Sequence, residues 1–179
     1  MSKKEFEDML NKHIEEKNEK KVDWDAQKEE WLGFIKQFYD SVELWLKPYL
    51  DQNKVSYEYR KISLTEDHIG TYEADIMIIN FAGQQIKLKP IGTLLIGTKG
   101  RIDMEGARGR AQFILADKDS KEMKIGVSIS TNGEASSEKH QRKIPDWTWK
   151  IVLREPRKIA YEDFNEDNFF NSLVEIANG

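Results

Sequence analysis

A chain of 179 residues that is 39 % hydrophobic, with five Trp, eight Phe and six Tyr, can bury one sizeable core and is too apolar for intrinsic disorder. Its 34 % charged residues and net charge of −4 predict a well-solvated surface and exclude a uniformly basic nucleic-acid binder, though not a local basic patch. The lack of cysteine excludes disulfides, thiolate catalysis and Cys-based zinc sites. No apolar run approaches the roughly 18 residues of a membrane span, and the first residues carry no apolar signal segment, so a single cytoplasmic domain over residues 1–179 is expected.

The first element is a short helix over about residues 3–17, opened by a Ser2/Glu5 capping box. Phe6, Met9, Leu10, His13 and Ile14 share one of its faces, and residues 1–22 are read as loosely attached. Asp23 then reads as the N-cap of a long helix over about 24–50, with Asp25 suited to the helix dipole. Trp31, Ile35, Phe38, Val42, Trp45 and Tyr49 form its apolar stripe, widened by Leu32, Tyr39 and Leu46, and Pro48 falls near its end.

After Asn53 the hydrophobic period changes from near 3.6 to 2. Val55, Tyr57 and Tyr59 alternate with polar residues, and a TEDHIG turn leads to a strand ending in IMIINF, whose apolar character on both faces predicts a central position. Phe81-Ala82-Gly83-Gln84 reads as a hairpin, followed by alternation around Ile86 and Leu88. Further strands are predicted at Thr93–Ile96, around Ile102 and Met104, around Ala111, Phe113 and Leu115, and around Ile125, Val127 and Ile129. The last alternation runs through Trp147, Trp149, Ile151 and Leu153. A polar stretch over 131–146 interrupts the series as a long flexible loop. Phe164 as a staple, Asn165 as N-cap and Phe169, Phe170, Leu173, Val174 and Ile176 as the apolar face predict a final helix over about 166–177. The expected fold is therefore α+β: a curved antiparallel meander of seven to eight strands over about 55–162, packed against the long helix and the C-terminal helix.

Chemistry concentrates in GTLLIGTKGRIDMEGARGR, Gly92 to Arg110, with five glycines and four cations. Between Gln84 and Arg110 the chain has six cations (Lys87, Lys89, Lys99, Arg101, Arg108, Arg110) against Asp103 and Glu105, a local charge of +4 in a −4 protein. Aligned on adjacent strands, Lys87, Lys89, Arg101 and Arg110 would form a basic strip able to grip carboxylate or phosphate, with the glycine turns around Lys99 and Arg108 at either end offering backbone amides. The competing reading is that the glycines bend strands and the cations pair with Asp103, Glu105 and other cross-strand carboxylates. A phosphate loop is excluded, because Lys99 is followed by Gly100 and a strand rather than by Ser or Thr opening a helix.

Other constellations are thinner. Glu66-Asp67-His68 reads as a solvated turn rather than a metal site, and His13, His68 and His140 lie far apart in sequence. Glu122-Met123-Lys124 with Asp103 or Asp117 resembles a nuclease-like acid–lysine set only in residue type, in a chain where charges are abundant. Four tryptophans fit the core, and Trp24 is expected to be the accessible one. The sequence thus points to a non-catalytic intracellular interaction protein, an accessory subunit or inhibitor-like partner of another protein, using residues 87–110. An anion- or nucleic-acid-backbone-binding module on the same surface and a metal-dependent hydrolase are the alternatives. No cofactor or metal site is expected.

Overall fold

The computed structural model describes residues 3–4, 6–11, 22–93, 98–121 and 145–178. Residues 6–11 are helical, with Phe6, Met9 and Leu10 exposed. The long helix α1 (Trp24–Leu50) leads into seven strands: β1 (Val55–Glu66), β2 (Gly70–Phe81), β3 (Gln84–Gly92), β4 (Gly100–Gly106), β5 (Gly109–Asp117), β6 (Trp147–Glu155) and β7 (Lys158–Asp163). Helix α2 (Glu166–Asn178) follows. The strands form one antiparallel sheet in sequential order, β1 to β7, the α+β meander expected from the alternation.

Local chemistry accounts for the boundaries. Asp23 caps α1 by accepting from the Ala26 amide at 3.0 Å. Asn165 caps α2 in the same way through Asn168, and Phe164 and Phe169 meet edge to face at 6.2 Å as its staple. Ala82 and Gly83 take φ of 48° and 74°, so the β2–β3 connection is a two-residue hairpin with both central residues left-handed. Its twist matches that of the long flanking strands.

The core lies between the helices and one face of the sheet. From α1, Trp31, Ile35, Phe38, Tyr39, Val42 and Leu46 are buried. Trp45 sits at the margin of that arc against Phe164 and Phe169, while Tyr49 at the helix end is 42 % exposed and touches Phe170. The sheet contributes Met77, Ile79, Ile86, Leu88, Ile102, Met104, Phe113, Leu115, Trp149 and Ile151. Two glycines of β4 set how closely the helices approach. A Cβ on Gly100 would meet the Trp31 ring at 2.3 Å, and one on Gly106 would meet Ile176 at 2.4 Å and Ile86 at 2.5 Å. These glycines therefore serve as flat seats for α1 and α2, a packing role distinct from the strand bending expected of them.

Several readings fall on residues outside those described: the Ser2/Glu5 capping box, His13, the strands at 94–96 and 125–130, Glu122 and Lys124, His140 and most of the 131–146 stretch. Two others are revised. Glu66 is not a solvated turn residue: it accepts from the Thr93 amide at 2.9 Å, from the Thr93 hydroxyl at 2.7 Å and from the Tyr72 hydroxyl. That hydroxyl in turn accepts from Trp31 Nε1 at 3.0 Å, so Glu66 anchors a chain reaching the core. Trp24 is half-buried, with its ring stacked on His68 at 4.8 Å.

Candidate functional site

The alternation that sends Ile86, Leu88, Ile102, Met104 and Phe113 into the core sends their neighbours to the opposite face of the sheet. Register then decides which charges meet. Lys87 lies opposite Glu105, which lies opposite Arg110; Lys89 lies opposite Asp103, which lies opposite Gln112; Arg101 lies opposite Ile114. Lys87, Lys89, Arg101 and Arg110 thus share one face of β3–β5, with Asp103 and Glu105 interleaved. Between β3 and β5 that face carries no aromatic residue.

Asp103 is the centre of this lattice and is only 1 % exposed. Arg101 Nε approaches its Oδ1 to 2.9 Å, an ion pair off the hydrogen-bond axis, while Arg101 Nη2 bonds Oδ2 at 3.3 Å. Arg110 is looser, at 3.5 Å from Asp103 and 3.4 Å from Glu105, with its side chain 55 % exposed. Burial pushes the Asp103 carboxyl above the usual carboxylate range; the neighbouring Arg101 and Arg110 guanidiniums pull it down and do not cancel that effect. Arg101 is therefore largely spoken for by Asp103. Lys87, Lys89 and Arg110 are exposed.

The other two cations go elsewhere. Lys99 pairs with Glu30 of α1 at 2.5 Å and lies over the rings of Phe34 and Trp147, at 5.9 and 5.5 Å from their centroids. It is on the helix side, about 20 Å along β4 from the β4–β5 hairpin. Arg108 is in that hairpin, where its amide donates to the Ile176 carbonyl at 3.1 Å. Helix α2 has no basic residue in its last turn, and the Arg108 amide satisfies one of its last-turn carbonyls from another segment.

Two features of this end of the sheet could not be read from the sequence. The β5–β6 ladder stops at Phe113↔Ile151, although β5 begins at Gly109 and β6 continues to Glu155. The strands part there, and a cavity of about 540 Å³ opens between them and α2, with Arg108, Arg110, Gln112, Arg154, Ser172 and Glu175 among its lining. Arg154 spans the gap to donate to Gln112 Oε1 at 2.9 Å. The parting also explains why Leu153, expected to share the buried face of Trp149 and Ile151, is 37 % exposed. Arg154 lies outside the segment that charge counting singles out, and nothing local marks it.

A second cavity of about 480 Å³ lies between α1 and the β1–β2 hairpin, and apart from Glu73 its charged side chains are bonded within it. Lys36 binds Asp40 at 2.6 Å, Lys61 binds Asp75 at 3.0 Å, and Glu43 accepts from the Tyr59 hydroxyl. Among the described residues no three His, Asp or Glu side chains gather as metal ligands, and no helix is long and apolar enough to cross a membrane. No protein-family model, curated protein or solved structure matches the chain.

Proposed function

We propose that this protein is a non-catalytic intracellular binding protein that takes an acidic protein partner on the β3–β5 face and the adjoining β4–β5 hairpin. The observation that carries the reading is the cross-strand placement of Lys87, Lys89 and Arg110 as exposed cations on one face, beside Arg108 and Arg154 at the same end. Together with Arg101, these six cations face three carboxylates, Asp103, Glu105 and Glu175, in a chain whose net charge is −4. Such a local reversal of sign steers an acidic surface toward one orientation. A protein partner is favoured over single-stranded nucleic acid because the face between β3 and β5 offers no ring on which bases stack. The cysteine-free composition suits a reducing compartment.

The test is fluorescence anisotropy with a labelled oligoglutamate and, in parallel, an oligothymidylate of equal charge. Oligoglutamate is expected to bind at low salt, to weaken as salt rises, and to lose roughly tenfold in affinity in a Lys87→Glu/Lys89→Glu double variant. Affinity unchanged in that variant sinks the proposal. Stronger salt-sensitive binding of the oligothymidylate replaces it with the phosphate-backbone alternative.

A further inference from the structure

The parting of β5 and β6 leaves two open strand edges facing each other. Residues 109–112 of β5 pair with β4 through Gly106↔Gly109 to Asp103↔Gln112, and residues 152–155 of β6 pair with β7 through Val152↔Tyr161 to Glu155↔Lys158. Across the gap neither segment has a strand partner among the described residues, because the ladder between them ends at Phe113↔Ile151. An unpaired edge displays a row of backbone donors and acceptors and is a template for another extended chain. Here two such edges converge on one cavity, backed by α2 through Ser172, Glu175 and Ile176.

The side chains at this mouth select by charge. Arg108, Arg110 and Arg154 line the cavity against one carboxylate, Glu175. Arg110 holds Asp103 and Glu105 only at 3.5 and 3.4 Å, and Arg154 is committed to the neutral Gln112, so neither guanidinium must surrender a tight ion pair to meet an incoming carboxylate. The outer edge strand β1 differs, since its Glu58 and Arg60 neutralise each other.

Resting on the acidic-partner reading above, we infer that the partner enters as an extended acidic segment whose tip inserts as a strand between β5 and β6. Its backbone would pair with residues 110–112 and 152–154, and carboxylates on alternate residues would reach Arg110 and Arg154. About three residues of extended chain, near 10 Å, fit within the four-residue open edges at 109–112 and 152–155. Arg154 acts as a latch: its bond to Gln112 closes the empty mouth and must yield for the strand to enter.

Backbone recognition separates this mode from attraction to a charged face. The probe is a labelled, acetylated hexapeptide alternating Glu and Val, compared with a twin N-methylated at its two central amides, which keeps length and charge but removes two donors. The unmodified peptide is expected to bind at least ~10-fold more tightly than its twin, and Arg154→Glu is expected to lose at least ~10-fold. Binding should slow amide hydrogen exchange at 110–112 and 152–154. Equal affinity for the two peptides overturns strand insertion while leaving the acidic-partner reading intact. Protection confined to β1 or β7 overturns it too, as does no binding up to about 1 mM peptide, a concentration at which even weak specific contacts register. Loss of oligoglutamate binding in the lysine double variant, by contrast, depends on the face and not on the cleft.

Discussion

Replacing glycine by alanine at two positions should change stability in opposite directions, because only one of the two lies under a helix. At Gly100 the added methyl carbon would lie 2.3, 2.7 and 2.9 Å from three carbons of the Trp31 ring. Carbon atoms pack comfortably at about 3.5–4.0 Å, so the ring must retreat by more than about 1 Å. Trp31 is 1 % exposed, donates from Nε1 to Tyr72 and packs beside Trp149 with centroids 6.1 Å apart. Retreat therefore overpacks the core, at ~1–3 kcal/mol, and strains or breaks a buried hydrogen bond worth ~1 kcal/mol. Against this stands a gain of ~0.5–1 kcal/mol from reduced freedom of the unfolded chain. The net expectation for Gly100→Ala is a loss of about 1.5–3 kcal/mol, which at a urea dependence of ~2 kcal/mol/M lowers the midpoint by ~1 M. Gly33, exposed on α1 with nothing within 4 Å of its would-be Cβ, should instead gain ~0.5–1 kcal/mol as Ala. Equilibrium urea unfolding followed by tryptophan fluorescence measures both. A Gly100→Ala variant as stable as wild type would refute the assignment of Gly100 as the seat of Trp31.

Other expectations follow from the charged and phenolic groups. Because the folded state raises the Asp103 pKa, its ionised form is disfavoured by folding; stability from this group is fully present below the unfolded value of about 3.8 and declines as pH rises through the folded value. Asp103→Asn should therefore be tolerated at pH 7 and should remove that component of the acid-side pH profile. Arg101→Ala, which strips the buried carboxylate of its closest counter-ion, should cost ~1–3 kcal/mol in the same urea assay. Lys99→Ala should cost ~1 kcal/mol through loss of its ion pair and ring contacts and leave oligoglutamate affinity unchanged, as measured by anisotropy. On the alkaline side, Tyr39, Tyr59 and Tyr72 all have pKa values raised chiefly by burial. Unfolded tyrosines ionise near pH 10 while these stay protonated, so thermal stability should fall as pH climbs above about 10, and less steeply in Tyr72→Phe.

Much of the architecture can be read directly from residue order. The change of hydrophobic period after Asn53, the Asp23 and Asn165 caps and the Ala82-Gly83 turn are local signals whose physics acts within a few residues, and they mark where elements begin and end. Charge counting locates the cationic segment for the same reason. It does not show that Lys99 turns to Glu30 and two aromatic rings, or that Arg108 closes α2, because those partners lie far away along the chain. Glu66 reads as solvated in the sequence because its partners, Thr93 and Tyr72, are brought to it only by the β1–β2 hairpin and the close of β3.

The sequence by itself determined the class of fold and the order of most of its elements, since helix and strand periodicities, caps and turns are properties of neighbouring residues; β7 (Lys158–Asp163), absent from the strands that alternation predicts, came only with the structure. Tertiary structure alone decided which charges neutralise one another and where β5 and β6 part. Both depend on strand register and helix placement, which emerge only when residues distant in sequence compete for the same space. Glycine showed the division most plainly: its presence at positions 100 and 106 was evident from residue order, but only the packed helices revealed that Trp31 and Ile176 occupy the space a side chain would need.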